Sequence, residues 1–427
     1  MIYVPSRMGQ LNRRALLRRL QKLGVASRAE LAKSLGMSQP TAGKIVDELI
    51  SAEVLEEIEV AGAGGVEPGS RGRPGRKLQL NHSRPQLLAI QLGLLETTVA
   101  ALSLGLPEAD EWQFTFALDK AETAPARTWE KQLRLAARAI GRHGFLGVLL
   151  STPGIVDEHT NRVLFSPNLH WTEKVDLAGI VRRAWNVPVL LVQEERALAL
   201  GHHLVNPDCE DFLLVDFGDG VGGAIIMDGK PLANPLPISG EIGHTPVLGN
   251  QRRCGCGATG CMETLVSLRG LLESFSAATR GKKKSWGQLR EHIAANGIGA
   301  WLAHSLDAAA VAIAGALNVL GLRRVVITGS LTELPPAVVA YLAQAVQNGS
   351  MWDKFGEVEC VAAPRRRTAG LIAIGIDRLV VPDTYQPEVV PGKADPLWST
   401  NAARQNHRSL KIGQGSRRLV AGFSKAK

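Results

Sequence analysis

The chain has 427 residues, of which 45% are hydrophobic, so it can bury the cores of two or three domains. Its formal net charge of +9 favours a polyanionic partner but does not identify one. No apolar stretch reaches the ~20 residues that a membrane helix requires, and the run Met1–Val4 before Pro5 is too short for a signal peptide. We therefore expect a soluble cytoplasmic protein with no membrane partner.

The first 61 residues have the pattern of three helices. Behind Asn12, a predicted helix cap, leucines recur at helical spacing: Leu16, Leu17, Leu20 and Leu23. Ser27 and Glu30 form a capping box, and the short helix that follows stops at Gly36. A third helix opens at Ser38 and turns four apolar residues inward: Ala42, Ile45, Val46 and Leu49. Three helices in this order are typical of a helix-turn-helix.

The third helix is the candidate DNA-reading helix, because the first residues of such a helix face base edges in the major groove. Four of its side chains can form hydrogen bonds with bases or phosphates: Ser38, Gln39, Thr41 and Lys44. Gly43 inside the helix costs about 1 kcal/mol against alanine, which predicts a close approach by a backbone or a neighbouring helix. The alternative is a helical hairpin that contacts another protein.

Two strand patterns follow and enclose a loop rich in glycine and proline. Residues 54–60 alternate like a strand, and residues 77–80 return as a second strand. The loop between them carries basic residues in a slim Arg-Gly-Arg-Pro context that can enter a minor groove: Arg71, Arg73 and Arg76. This is the plan of a winged helix-turn-helix, an α+β domain. A solvated run of charges is the alternative for the basic loop.

From residue 85 onward, strands alternate with helices, which predicts an α/β domain. The predicted strands are 87–93, 97–104, 111–118 and 146–150, and the predicted helices include 127–142, 263–275 and 308–322. Beyond residue 382 the chain holds prolines, glycines and scattered bases without apolar periodicity, so we expect disorder. The predicted organisation is a helix-turn-helix core at 1–61, a wing and linker at 62–80, the α/β domain at 81–382 and a basic tail at 383–427.

Three thiols and an imidazole lie close together within the stretch from Glu241 to Glu263. Zn²⁺ takes four such ligands tetrahedrally, and the intervening glycines let the backbone wrap around one ion. We predict a closed structural Zn²⁺ site formed by His244, Cys254, Cys256 and Cys261. The alternative is a disulfide, or free thiols, in a glycine-rich loop. Carboxylates flank the predicted site on both sides.

This stretch, Glu-Ile-Gly-His followed by Cys-Gly-Cys-Gly-Ala-Thr-Gly-Cys-Met-Glu, resembles the ROK family of repressors, open reading frames and kinases. The resemblance covers roughly residues 87–382, and the first 80 residues resemble the DNA-binding half of ROK repressors. It implies an actin-like, ribonuclease H-like two-lobed fold in which the zinc loop shapes one wall of a sugar pocket. It also implies that His244 ligates zinc and touches a sugar hydroxyl, while Glu241 and Glu263 accept further hydroxyls.

Two more residues resemble sugar-side positions of that family. Asn168 can donate to and accept from a vicinal diol, and the alternative for it is an Asx turn after proline. Glu194 aligns with the aspartate that is the general base of ROK kinases, and Glu195 lies one residue away. We predict a sugar contact for Glu194; the alternative is a cap for the helix that runs to Leu204.

The nucleotide loops of a ROK kinase are altered in this chain. Where the family has Asp-x-Gly-Gly-Thr, residues 91–95 read Gln-Leu-Gly-Leu-Leu, so the acid for magnesium is missing. The second loop reads Gly-Asp-Gly-Val-Gly-Gly from 218 to 223, and Asp219 places a negative charge where phosphates must lie. Two like charges 4 Å apart repel by about 4 kcal/mol at an effective dielectric of 20. We therefore expect no ATP binding, no catalytic residue and no enzyme activity.

These features predict a sugar-responsive transcriptional regulator, a repressor of carbohydrate uptake or catabolism genes. A homodimer or tetramer would bind a palindromic double-stranded DNA operator, with a sugar or sugar phosphate as effector. Two rivals stay open at this point. One is a ROK sugar kinase that carries a DNA-binding arm, and the other is a regulator controlled by a protein partner.

Overall fold

The computed structural model describes residues 5–59, 76–105, 107, 111–118, 123–141, 144–232, 238–279 and 284–381. The predicted wing tip, with Arg71 and Arg73, and the predicted disordered tail lie outside these described residues.

The N-terminal domain is a winged helix-turn-helix. Its elements are α1 (Pro5–Leu23), β1 (Ala26–Ser27), α2 (Arg28–Ser34), α3 (Gln39–Ser51), β2 (Leu55–Ile58) and β3 (Lys77–Leu80). The predicted capping box is present, since Glu30 N donates to Ser27 Oγ at 3.2 Å and Ser27 N donates to Glu30 Oε2 at 2.6 Å. Strand β3 lies between β1 and β2, antiparallel to both. Asn12 is not a cap but lies inside α1, because no breaker separates residues 6–11 from the leucine stripe.

Lobe I follows as the first half of a two-lobed α/β domain. Its elements are β4 (Leu87–Leu92), β5 (Glu96–Leu102), β6 (Phe114–Ala117), α4 (Pro125–Ile140), β7 (Gly147–Thr152), β8 (Ile155–Asp157), β9 (Arg162–Phe165), α5 (Leu177–Trp185) and β10 (Val189–Gln193). The main sheet has the order β10-β7-β4-β5-β6. Strand β7, between β10 and β4, is parallel to both neighbours and buried along its whole length, which explains its nearly continuous apolar run.

Helix α6 (Glu194–Val205) leads into lobe II. The elements of lobe II are β11 (Phe212–Phe217), β12 (Val221–Met227), β13 (Lys230–Pro231), α7 (Glu263–Val266), α8 (Leu268–Ala278), α9 (Trp286–Asn296), α10 (Ala300–Leu320), β14 (Arg324–Gly329), α11 (Pro336–Gly349) and β15 (Glu359–Ala362). Its sheet has the order β13-β12-β11-β14-β15. Helix α12 (Arg367–Gly375) then returns to lobe I and ends in a π-helical turn, Ile376–Val380. Two lobes with connecting helices confirm the predicted actin-like arrangement.

Helices α6 and α12 are in backbone contact. A Cβ atom at Gly201 would lie 1.8 Å from the carbonyl oxygen of Arg366, and one at Gly370 would lie 1.8 Å from that of Ala197. Only glycine fits at either position. Helix α6 packs on strands of both lobes and also touches α1, while α12 packs on β4 and β7. The two helices therefore join the lobes to each other and to the N-terminal domain.

The N-terminal domain and lobe I share one hydrophobic core. Leu16 and Leu17 of α1 belong to the same buried cluster as Leu87 of β4 and Leu371 of α12. Polar contacts reinforce this packing: Arg14 Nη2 donates to the carbonyl oxygens of Asp377 and Val381 at 3.0 and 2.9 Å, and Arg18 Nη2 donates to Asp377 Oδ2 at 2.6 Å. Lobe II has a separate core built largely from α8, α10, α11 and β14.

Two predicted helices of lobe II need correction. The helix expected from 263 to 275 is two helices, because Ser267 is extended and its side chain accepts from Gly270 N to cap α8. Helix α10 begins at Ala300, well before the predicted position 308. Contrary to the expectation from sequence, α10 is long and apolar enough to cross a membrane, although 56% of its apolar window is buried. Since its leucines and alanines fill the lobe II core, we assign it as a core helix.

Candidate functional site

The predicted DNA-reading residues form one exposed surface at the start of α3: Ser38, Gln39, Thr41 and Lys44. Ser38 Oγ accepts from Thr41 N at 3.3 Å and lies 2.8 Å from Thr41 Oγ1, so this pair shapes the first turn. The side chains of Gln39 and Lys44 are exposed and have no hydrogen-bond partner among the described residues, which leaves their polar groups available to a ligand. The close approach predicted at Gly43 is wrong for the described part of the chain, because a Cβ atom there would meet no described atom within 4 Å.

The base of the wing is held by an ion-pair network. Glu57 on β2 accepts from Arg76 Nη1 at 2.5 Å through one carboxylate oxygen and from Arg28 Nη1 at 2.6 Å through the other. Arg76, predicted to contact DNA, is still largely exposed, with 62% of its side chain accessible. Its guanidinium is therefore oriented by Glu57 and remains open to a phosphate on its other side. Arg71 and Arg73 stay predictions.

The four predicted metal ligands come together. The ligand atoms of His244, Cys254, Cys256 and Cys261 all lie within 4.8 Å of one another. The Cys254 Sγ to His244 Nδ1 distance is 3.5 Å, and the Cys256 Sγ to Cys261 Sγ distance is 3.6 Å. A tetrahedral ion with metal–sulfur bonds of about 2.3 Å sets its sulfurs about 3.8 Å apart. The spacing fits one metal ion and is far too long for a disulfide, and all three cysteines are free.

Tight turns bring the ligands into this arrangement. Gly257 and Gly260 have positive φ values of 93° and 90°, and Cys254 N donates to the Ala258 carbonyl at 2.9 Å to close the loop. Burial raises the pKa of the Cys254 thiol and that of the Cys261 thiol. Binding of a cation would therefore displace their protons.

The sugar-side residues predicted from the family resemblance line one cleft beside the cluster. Glu263 is 5% exposed, and its Oε2 accepts from Val221 N at 2.9 Å while its Oε1 lies 3.4 Å from Asn168 Nδ2. Glu241 Oε2 lies 3.7 Å from His244 Nε2. Burial raises the pKa of Glu241; His244 opposes this shift and Glu263 adds to it. The result is a wall rich in hydrogen-bond acceptors, which suits a ligand with several hydroxyl donors.

Glu194 also lines the cleft, but its carboxylate already has protein partners. Arg367 Nη2 donates to Glu194 Oε1, and Gln91 Nε2 donates to the same oxygen at 3.1 Å. The ion pair is buried, with 6% of the Arg367 side chain and 14% of the Glu194 side chain exposed. A ligand hydroxyl at Glu194 would have to share this carboxylate. The capping alternative does not hold, since Gln193 is the cap position of α6 and no side chain bonds there.

Arg365 fills the gap between Gly218, in the second altered nucleotide loop, and Gly329, at the end of β14. A Cβ atom at Gly218 or at Gly329 would lie 2.7 Å from Arg365 Nη2. Arg365 Nε and Nη2 donate to the two carboxylate oxygens of Asp216, both at 2.8 Å, and Thr328 Oγ1 donates to Asp216 at 2.7 Å. Burial alone would raise the pKa of Asp216, but Arg365, Thr328 and Arg367 together outweigh it and the net shift is downward. The pair is thus a fixed, charged feature of the cleft.

Sequence reasoning missed Asp216 and Arg365 as members of the cleft, and Arg367 as the partner of Glu194 next to it. The one available signal was the run Arg365-Arg366-Arg367 directly before an apolar helix, where so much charge is unusual unless it has buried partners. The partners themselves lie 149 and 173 positions away in the sequence.

Fold and site together define a two-lobed, actin-like protein with a winged helix-turn-helix packed on one lobe. The other lobe carries a His/Cys cluster able to hold a metal. Residues 118–376 match the ROK family, and the chain belongs to this family.

The most similar relatives include two xylose repressors. The one from Caldicellulosiruptor bescii is 28% identical over 274 residues, which are 62% of this chain and 65% of the relative. The one from Bacillus spizizenii is 24% identical over 357 residues, which are 79% of this chain and 87% of the relative. A solved ROK family transcriptional regulator, a homologue of the Escherichia coli Mlc protein, covers 87% of this chain and 97% of its own, with a TM-score of 0.69 and 23% identity. This last likeness shows the common fold.

Proposed function

We propose that this chain is a sugar-responsive, DNA-binding transcriptional regulator of the cytoplasm, a repressor of carbohydrate uptake or catabolism genes. One observation carries the proposal. The domain with the exposed α3 surface shares its hydrophobic core with the lobe that forms one side of the cleft. The names of the relatives support the same function. A homodimer or tetramer places two α3 helices in successive major grooves of a palindromic operator, one helical turn or a multiple apart.

The metal in this proposal is a structural Zn²⁺ held by His244, Cys254, Cys256 and Cys261. Four protein ligands leave no open coordination position, so the ion supports the fold rather than reacting. Its role is to fix the loop between Glu241 and Glu263, whose carboxylates bind sugar hydroxyls together with Asn168.

The proposed signal runs along α6 and α12. Both helices begin at the cleft, where Glu194 opens α6 and Arg367 opens α12. Helix α6 touches α1, and Asp377 in the turn after α12 binds Arg14 and Arg18 of α1. A sugar that closes the cleft moves these helices and so changes the spacing of the two reading helices in the oligomer. A coupling of about 1–3 kcal/mol changes DNA affinity by about 5- to 150-fold.

The proposal includes loss of kinase activity. Arg365 and Asp216 fill the gap between Gly218 and Gly329, and Asp219 adds a negative charge on the same loop. The rival is a ROK sugar kinase with a DNA-binding arm. Incubation of the chain with ATP, Mg²⁺ and a panel of hexoses and xylose tests it, and we expect no ADP above the level without enzyme. Measurable turnover with any sugar would refute the loss of nucleotide binding.

Selection from a randomised DNA duplex library tests the regulator itself. We expect enrichment of a palindromic sequence, and sugars are then titrated against its complex with the protein in a fluorescence anisotropy assay. If the library yields no preferred sequence, the regulator proposal fails. If DNA binds but no sugar changes the DNA affinity or the melting temperature of the protein, the protein-partner rival gains support instead.

The wing makes a separate prediction. Arg73→Ala should weaken DNA binding across sequences and reduce the slope of log K against log salt by about 1, as expected for one lost phosphate contact. The matched control is Arg138→Ala, an exposed arginine on α4 of lobe I. An unchanged affinity and slope for Arg73→Ala would remove the wing tip from the interface.

A further inference from the structure

The cleft has a marked excess of acidic side chains. Six of its lining residues carry carboxyl groups: Glu194, Glu195, Asp216, Asp219, Glu241 and Glu263. Its lining includes two residues of basic type among those described, Arg365 and His244, and the first is bound to Asp216 through both carboxylate oxygens. Arg367, next to the cleft, is bound to Glu194. Little positive charge is left to receive a phosphate group.

The metal cluster does not reverse this balance. A Zn²⁺ ion bound by three thiolates and a neutral imidazole is a formally anionic centre, because the thiolate charges exceed that of the ion. His244 is a ligand in that arrangement and remains neutral. The wall of the cleft formed by the cluster therefore attracts cations and repels phosphate.

Glu195 has one carboxylate oxygen that no described group of the protein satisfies. Its Oε2 atom is buried and has no hydrogen-bond partner among the described residues. Its other oxygen lies against β12, where a Cβ atom at Gly222 would be 2.5 Å from Glu195 Oε1. Burial, and after it the charges of Glu194, Glu241 and Asp216, raises the pKa of Glu195 well above its usual value. A buried acceptor without a donor is costly, so a ligand that brings a donor to it is favoured.

We propose that the cleft selects an unphosphorylated sugar that carries a primary amine, and that Glu195 receives the ammonium group. This inference rests on the proposed sugar response and narrows it from any sugar or sugar phosphate to one chemical class. An ammonium group supplies both the missing donor and the missing positive charge, and hydrogen bonds between charged partners are about twice as strong as neutral ones. A neutral sugar supplies only the donor, and a sugar phosphate adds negative charge to a cleft that already has an excess.

Calorimetric titration of the full, metal-loaded chain with matched sugars tests the expected order of affinities for amino, neutral and phosphorylated sugars. Each set holds one stereochemistry: glucosamine, glucose and glucose 6-phosphate, with the corresponding galactose and mannose sets. In the set whose stereochemistry fits, we expect the amino sugar to bind about tenfold or more tightly than its neutral parent, and the phosphate to bind most weakly. The ratio of the amino sugar's affinity to that of its neutral parent should decrease as salt concentration rises.

Glu195→Gln separates a specificity role from a structural one. The change keeps the shape but removes the charge, so the preference for the amino sugar over its neutral parent should fall to within about twofold. Glu273→Gln, at an exposed position on α8, is the control and should leave all three affinities unchanged. Unaltered metal content and melting temperature verify that the Glu195 variant is folded.

The possible outcomes distinguish this inference from the proposed function. A neutral sugar or a sugar phosphate that binds most tightly overturns the inference but leaves the sugar response intact. An amine preference that persists in Glu195→Gln refutes the assignment of that residue. If no sugar of any class binds, the sugar response itself is wrong and the inference falls with it.

Discussion

The two lobes of the ROK domain differ in what they are attached to. Lobe I shares its hydrophobic core with the winged helix-turn-helix, so leucines of α1 and residues of β4, β7 and α12 pack as one unit. Lobe II keeps a core of its own and carries the His/Cys cluster with the acidic wall of the cleft. A change in the angle between the lobes therefore moves the sugar wall relative to the DNA reader. In the proposed function, the metal-braced wall of the sugar cleft and the DNA reader therefore belong to different lobes, and each of the following predictions tests this division.

Loss of the metal should have the largest effect, and it should be confined to lobe II. Cys256→Ser, or removal of the metal by a chelator, should abolish sugar binding and lower the melting temperature, since structural zinc sites supply on the order of 10 kcal/mol of folding energy. Binding to operator DNA should persist, because the reader is packed on lobe I. Metal analysis, calorimetry and fluorescence anisotropy measure the three effects.

Cys360→Ser is the matched control for that experiment, because Cys360 lies on β15 and does not belong to the cluster. It should retain metal, sugar binding and DNA binding. Full sugar affinity in metal-free Cys256→Ser would contradict the assignment of a structural metal to the sugar wall.

Breaking the buried ion pair at the start of α6 and α12 should have the next largest effect. Arg367→Met leaves the Glu194 carboxylate buried without its arginine and should cost about 3–5 kcal/mol of unfolding free energy, measured by urea denaturation. Exposed Arg290→Met is the control and should change stability by less than about 0.5 kcal/mol. The double variant Glu194→Gln with Arg367→Met should recover much of the loss. A single variant as stable as the parent would show that the pair does not hold the helices.

The contact between α12 and α1 should matter little for stability and more for signalling. Asp377→Asn weakens the pair with Arg18, whose side chain is 52% exposed, so the cost in unfolding free energy should be at most about 1 kcal/mol. The sugar-induced change in DNA affinity should nevertheless become smaller. Arg269→Ala, which removes an exposed ion pair on α8, is the control and should leave the coupling unchanged. If the sugar-induced change in DNA affinity is unchanged in Asp377→Asn, the contact between Asp377 and α1 does not transmit the signal.

Features that depend on neighbouring residues were predictable from the sequence. The proposed metal ligands lie within a short glycine-rich stretch, and the capping box at Ser27 and Glu30 depends on residues three apart. The paired strands of the wing were likewise predicted from their alternation. In each case the interacting residues are close in sequence, so their types and spacing are enough to predict the structure they form.

Features that depend on distant residues were not predictable. Glu194 was expected to face a sugar, but whether its carboxylate is free depends on Arg367, which the fold brings across from another helix. The break at Ser267 also escaped prediction, because the apolar spacing continues through it and the serine cap is weak as a signal on its own. Helix α10 is buried because other elements of lobe II pack around it. The composition of the helix itself does not reveal those neighbours.

The glycine contacts between α6 and α12 determine how large a movement the protein needs. Side chains at a helix interface can absorb a small displacement by changing rotamer, whereas two backbones already in contact cannot. A shift of α6 by a fraction of an ångström must therefore displace α12 as well. In the proposed oligomer, free and sugar-bound forms of this regulator can thus differ only slightly near the ligand and still hold their DNA-reading helices at different separations.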